Sequence, residues 1–214
     1  MTVSKSLTAP LIDDNPITVQ ILGICSALAV TTSVTTALTM SLALTIVLVA
    51  ASGIISLMRT LIPSEIRLIL QIIIIASLVI LADLILQAFA WNISQRLSIF
   101  VSLIVTNCLV LGRAESFAMH NPFGPSLLDG LGNGLGYSLI LLIVGTLREL
   151  FGAGTLLGIP VLSSVAEGGW FQPMGVMLLA PSAFFILGLL IWVLRSSRTG
   201  QIEADEFAPN VEVR

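Results

Sequence analysis

This sequence is short of charge. Only 10% of its residues are Asp, Glu, Lys or Arg, against about 25% in a soluble domain. Of the 214 residues, 56% are hydrophobic, and the mean hydropathy is +1.06. Such a chain lacks the polar surface to cover a globule in water, so it reads as an integral membrane protein. Short alternating strands are also missing. The apolar residues come in long unbroken runs, which excludes a membrane barrel and leaves an all-α protein.

Metal-binding side chains are scarce. There are two cysteines, Cys25 and Cys108, and a single histidine, His120. No CxxC is present, which excludes a self-contained zinc or iron–sulfur site. The two thiols could pair as a disulfide, but both sit in apolar segments, which argues against an exposed oxidised staple. No basic cluster suggests nucleic acid. The net charge is −3, with acids gathered near the end at Glu203, Asp205, Glu206 and Glu212. The first 16 residues are polar, with Asp13, Asp14, Pro10 and Pro16. They do not read as a secretory signal.

What is there is a series of six apolar segments. Ile17–Val34 is weak, broken by Gln20 and by threonines, and holds Cys25. Gly23 and Ala27 flank that cysteine as a small-xxx-small pair that allows close helix approach. Ala37–Met58 and Leu68–Trp91 are each long enough for the roughly 20 residues of a crossing. The second of these carries Asp83 between Gln71 and Gln87. Leu97–Leu111, which holds Cys108, falls short of a crossing and reads either as a short helix in the company of tilted partners or as a half-helix. A polar connection over Gly112–Gly130 is expected next, with a turn at Asn121-Pro122-Phe123-Gly124-Pro125. Leu131–Leu147, a Gly-rich loop through Trp170, Met174–Leu194 and a polar tail complete the chain.

Six crossings put both termini on one side. Lys5, Arg59, Arg67, Arg113, Arg195 and Arg198 would lie there, with Arg96 and Arg148 opposite. The positive-inside rule then places both termini in the cytoplasm. The halves also echo one another. Each opens on a weak segment with a cysteine, and Ser56-Leu57-Met58-Arg59-Thr60-Leu61 parallels Gly145-Thr146-Leu147-Arg148-Glu149-Leu150. The expected organisation is a polar segment 1–16, a three-helix repeat 17–91, an inverted three-helix repeat 97–195 and a tail 196–214. Repeats of this kind often place a site at the midplane on short or broken helices.

Two buried cysteines need no function, since free cysteine behaves as a small hydrophobe. The pseudo-symmetric placement favours ligation. A bare thiolate in hydrocarbon is very unfavourable, whereas a [2Fe–2S] centre spreads the charge over many atoms but needs four ligands. A second chain would therefore supply the other two. His120 lies in the polar connection and reads as a surface residue. Gly130-Leu131-Gly132-Asn133-Gly134-Leu135-Gly136 fits no nucleotide loop and reads as a place where a helix starts or packs closely. Asn92-Ile93-Ser94 reads as a chance sequon. Asp83 could mark an ion path or simply bond Gln87. Asn107, Arg113 and Glu115 could meet a partner, tune the site or cap a helix end.

Four stretches carry a resemblance to a known family. They are Ile21-Leu22-Gly23-Ile24-Cys25-Ser26-Ala27-Leu28-Ala29-Val30, Thr106-Asn107-Cys108-Leu109-Val110-Leu111-Gly112-Arg113-Ala114-Glu115-Ser116-Phe117-Ala118-Met119, Asp129-Gly130-Leu131-Gly132-Asn133-Gly134-Leu135-Gly136-Tyr137 and Gly168-Gly169-Trp170-Phe171-Gln172-Pro173. They resemble the D-type membrane subunits of the bacterial Na+-translocating NADH:quinone oxidoreductase, over Asn15 to Arg195. The family also includes the E-type subunits of the same enzyme and two subunits of the Rnf-type ferredoxin:NAD oxidoreductase. The resemblance implies six transmembrane helices in two inverted repeats, with short first and fourth helices, in the bacterial inner membrane. It implies a homologous E-type subunit of opposite orientation as partner, and a [2Fe–2S] cluster held by two cysteines from each chain, here Cys25 and Cys108. That cluster would pass electrons between flavins on the two sides of the membrane, coupled to sodium export. NADH, flavins and ubiquinone would be bound by other subunits, and no catalytic residue is expected in this chain. The rival readings are the equivalent subunit of an Rnf-type complex, a small cation-coupled transporter using Asp83, and a cofactor-free scaffold.

Overall fold

The computed structural model describes residues 10, 15–63, 65–89, 103–157, 159–160, 172 and 174–197. These are mostly helical. After a turn at 16–20 come α1 (Ile24–Val30), α2 (Val34–Met58) and α3 (Arg67–Phe89). Helical residues 103–105 precede a break, then α4 (Cys108–Arg113) and a π-helical turn over Ala114–Ala118. The long α5 (Phe123–Ala153) leads to a small antiparallel pair, β1 (Thr155–Leu156) and β2 (Ile159–Pro160). A 3-10 turn at Gly175–Leu178 and α6 (Ala180–Ser197) follow. The Asn92-Ile93-Ser94 sequon and the tail beyond 197 lie outside the described residues.

Among the described residues, three helices, α2, α3 and α5, are long and apolar enough to cross a membrane, and α6 is a shorter apolar helix. At about 1.5 Å per residue, the 25 residues of α2 reach past a hydrocarbon core of about 30 Å. The start of α2 is set by Ser33, whose hydroxyl accepts the Thr36 N–H at 3.3 Å. Threonines within it satisfy themselves, as Thr45 Oγ1 donates to Ser41 O at 2.7 Å. That local bond lets a hydroxyl sit in an apolar helix. The outer face of α3 exposes Ile69, Ile73, Ile80 and Leu84. Lipid tails are as apolar as these side chains, so a bilayer accepts that face.

The core is the antiparallel seam of α2 and α5. A Cβ on Gly134 would stand 2.7 Å from Thr45 Cγ2, one on Gly130 3.3 Å from Val49 Cα, and one on Gly145 3.3 Å from Ala37 Cβ. The glycine-rich stretch is therefore where two helix backbones approach, as expected of small residues between membrane helices. Gly154, at φ +70°, ends α5 and donates its N–H to Leu150 O at 3.1 Å, a left-handed cap.

Two expectations need correction. The polar connection over Gly112–Gly130 is helical for most of its length. Pro125 falls in the first turn of α5, where a missing N–H costs nothing. The charges there are paired rather than solvated: Arg113 with Asp129, and Arg67 with Glu115. Gln71, fully buried on α3, also donates to Glu115 Oε2 at 2.8 Å. The expected fifth segment, Leu131–Leu147, accordingly begins eight residues earlier, at Phe123. The fourth segment is not one helix to Leu111 but is interrupted just before Cys108; its residues 97–102 lie outside the described set.

Candidate metal centre

Each cysteine stands at the start of a short helix that follows a break. Ahead of α1, Ile21 adopts φ +56° and Gly23 φ +81°. A β-branched residue in the left-handed region is strained, and such strain persists only where the surroundings enforce it. Leu22 N–H donating to Pro16 O at 2.8 Å helps to hold that turn. Cys25 then projects outward from the second position of α1, exposed, while Ser26, Ala27 and Val30 are buried. Ahead of α4, Asn107 is extended, and its Oδ1 accepts the Leu109 N–H at 2.9 Å. This cap sets Cys108 as the first residue of α4, half-buried.

The tertiary structure brings these two segments together. The Gly23 N–H, two residues before Cys25, donates to Cys108 Sγ at 2.9 Å. Asn107 Nδ2 donates to Ser26 Oγ at 3.0 Å. Tyr137, fully buried on α5, lies 2.6 Å from the same hydroxyl. Ser26 gives its own proton to Gly23 O at 2.9 Å, so the tyrosine is the donor to serine. Both thiols are free.

The end of α1 is held by Arg148, which is fully buried on α5. Its Nη1 donates to Leu28 O at 3.2 Å and Thr31 Oγ1 at 2.6 Å. Its Nη2 donates to Leu178 O at 2.9 Å and Leu179 O at 3.1 Å, and its Nε to Met177 O at 3.2 Å. The guanidinium thus bridges α1 to the turn before α6. Neighbouring Glu149 accepts the Val34 N–H at 2.6 Å at the start of α2, where a carboxylate suits the helix dipole.

Of the other residues singled out, His120 is exposed. Asp83 accepts from Gln87 Nε2 at 2.9 Å. Asn107 is a helix cap within the site, whereas Arg113 and Glu115 belong to the ion pairs beside it. Among the described residues, no three His, Cys, Asp or Glu side chains gather closely enough to hold a metal ion. Two thiols at adjoining helix starts, one facing outward and one accepting a backbone N–H, fit half of a thiolate-ligated centre. Sequence reasoning missed Ser26 and Tyr137. The available signal was that Tyr137 is the only tyrosine, placed in an apolar helix, where a phenol needs a partner.

Comparison with known proteins gives the chain its relatives. The family model described as "Rnf-Nqr subunit, membrane protein" matches residues 3–191. A relative from Serratia proteamaculans, named as the D-type subunit of the Na(+)-translocating NADH-quinone reductase, is 58% identical over 95% of this chain and 97% of its own length. Relatives of the same name from Proteus mirabilis and Photorhabdus laumondii are 57% and 58% identical, with the same coverage.

Proposed function

Since the chain belongs to the Rnf-Nqr family of membrane subunits, we propose that it is the D-type subunit of a bacterial Na+-translocating NADH:quinone reductase, and that Cys25 and Cys108 hold one half of an iron–sulfur centre. The protein is a multi-pass membrane subunit of that multisubunit translocase, with the complex's other subunits as its partners. The observation that carries the site is the Gly23 N–H on Cys108 Sγ, which joins the two thiol-bearing helix starts. The other two thiolates come from a homologous membrane subunit of the E type, in opposite orientation. The exposure of Cys25 supports this, because a ligand on the outer face needs a partner to complete its site. A [2Fe–2S] cluster bound there would supply one-electron transfer through the membrane. This chain's part is to hold two sulfurs and to orient them at the starts of two short helices. NADH, flavins and ubiquinone belong to other subunits.

The fold of this reading is six transmembrane helices in two inverted three-helix repeats, 17–91 and 97–195. Support comes from the recurring order of one short helix followed by two longer ones, and from the antiparallel seam of α2 and α5. Both termini lie in the cytoplasm, the membrane being the bacterial inner membrane. The pairing of Arg67 with Glu115 and Arg113 with Asp129 is in keeping with this, since it brings two of the basic residues assigned to that side close to one polar cluster. The high identity to relatives named as NADH-quinone reductase subunits favours this complex over the Rnf type.

The test is iron and acid-labile sulfide analysis of the chain co-purified with its homologous partner, followed by EPR after reduction. About two irons and two sulfides per pair are expected, as for a [2Fe–2S] centre with four thiolates, and both are lost in Cys25→Ser and in Cys108→Ser. A correctly assembled wild-type pair without iron would overturn the reading and return the transporter and scaffold alternatives.

A further inference from the structure

We infer that Ser26, Asn107 and Tyr137 are positioning residues that hold the Gly23 N–H on Cys108 Sγ, and so set the reduction potential of the centre held by the two cysteines. The inference rests on the reading of Cys25 and Cys108 as ligands.

Gly23 makes the contact with sulfur. Its N–H is the donor to Cys108 Sγ, and where that N–H points depends on the Leu22–Gly23 peptide, beside which Leu22 N–H is tied to Pro16 O at 2.8 Å, and on the φ and ψ of Gly23, which relate it to the next peptide. A φ of +81° is open to glycine at little cost. The Tyr137 ring walls the residue on one side, for a Cβ there would stand 2.9 Å from Tyr137 Cε2 and 3.3 Å from Cδ2. On the other side the Gly23 carbonyl is gripped by the Ser26 hydroxyl at 2.9 Å. Gly23 is thus fixed by packing at its α-carbon and, at its oxygen, by the Ser26 hydroxyl together with the Ala27 N–H at 3.2 Å.

Ser26 is fixed in turn. With its proton committed to Gly23 O, its two lone pairs accept from Tyr137 at 2.6 Å and from Asn107 Nδ2 at 3.0 Å. The Asn107 amide has no freedom to flip, because its Oδ1 caps the Leu109 N–H. Asn107 adjoins Cys108, and Ser26 adjoins Cys25. The result is a closed polar circuit, Cys108 to Gly23 to Ser26 to Asn107 and back to Cys108, with Tyr137 reaching in from α5. Buried in an apolar bundle, a circuit in which each bond constrains the next is stiff.

A donor aimed at a ligand sulfur acts on potential. Reduction adds electron density to the sulfurs, so the N–H stabilises the reduced state more than the oxidised one and raises the potential. Loosening Gly23 should lower it. Tyr137→Phe keeps the ring wall and removes one donor to Ser26. Ser26→Ala removes the hub, freeing the Gly23 carbonyl from its side-chain bond.

The experiment is an EPR redox titration of the iron-loaded complex, wild type against Tyr137→Phe, Ser26→Ala and the double variant, with iron content measured on each. Weakening one hydrogen bond to sulfur is expected to lower the reduction equilibrium by about tenfold in Ser26→Ala, about 59 mV for a one-electron couple. Tyr137→Phe should shift it less, in the same direction. The double variant should shift it no more than Ser26→Ala alone, because both act through one N–H. An unchanged potential with iron retained overturns the inference, as do shifts that add. Loss of iron from Tyr137→Phe also overturns it, since the circuit would then hold the fold and not the potential. A wild-type complex without iron would instead refute the assignment of the ligands.

Discussion

Arg148→Lys isolates what a fork of donors does that a single charge cannot. Arg148 uses three nitrogens to reach two elements: Leu28 O and Thr31 Oγ1 at the end of α1, and three carbonyls, Met177 O, Leu178 O and Leu179 O, before α6. A lysine ammonium keeps the charge but concentrates its donors on one atom, so it can serve one element and not both. At least two of the five bonds are lost. Met177 O and Leu179 O retain the Ser182 hydroxyl as a donor, at 2.5 and 2.8 Å, so the loss falls hardest on Leu28 O or Leu178 O. Bonds to charged groups contribute about 1.5–3 kcal/mol in water-soluble proteins, but interhelical bonds in membranes average about 0.6 kcal/mol. Two lost bonds then amount to about 2 kcal/mol, between those limits. For a chain of this size that lowers the melting temperature by about 4–8 °C. The assay is thermal unfolding of the purified complex, followed by helical signal and by iron release, since α1 carries Cys25. Thr31→Val, which removes one of the five bonds and the Thr31 hydroxyl's local bond to Ala27 O, should cost about half as much. Arg148→Lys melting within about 1 °C of wild type, or Thr31→Val costing as much as Arg148→Lys, would refute the bridging role.

Gly23→Ala should destabilise the complex, because the left-handed backbone costs an alanine about 1–2 kcal/mol and its Cβ would press on Tyr137. Gly175→Ala, whose Cβ would meet nothing within 4 Å, should leave melting unchanged; equal effects in the two would contradict the strain assigned to Gly23. Gly134→Ala should weaken the seam of α2 and α5, since its Cβ would lie 2.7 Å from Thr45 Cγ2 and 2.9 Å from Thr45 Oγ1. Adding Thr45→Ala removes both atoms, so the double variant should melt above Gly134→Ala alone, and failure to recover would place the defect elsewhere. Asn107→Ala should cost about 1 kcal/mol from loss of the α4 cap, measurable as lower melting together with easier alkylation of Cys108 in the iron-free protein; unchanged melting would deny the cap a role.

The sequence by itself determined the solvent and the crossing helices. Unbroken runs such as Ala37–Met58 can lie only in a bilayer, and in a bilayer only a helix satisfies its own backbone. It also determined that Asp83 and Gln87 would face each other at helical spacing, since that contact depends on one helix alone. It drew attention to Cys25 and Cys108 because both fall in segments too weak or short to cross comfortably. The tertiary structure decided everything that depends on how one helix lies against another. Gly112–Gly130 looked like a connection because its charges look solvated in isolation, and only the fold shows Arg113 paired with Asp129 of the same stretch and Glu115 with Arg67 of α3. The run from Gly130 to Gly136 was legible as a place where a helix starts or packs closely, but only the tertiary structure shows that α2 fills the space that the missing side chains of Gly130 and Gly134 leave. Ser26 and Tyr137, 111 residues apart, gave no sign in the sequence of the hydrogen bond that joins them. Periodicity records which residues share a face of one element, but it carries no register between elements, and that register is what sets the Gly23 N–H against the Cys108 sulfur.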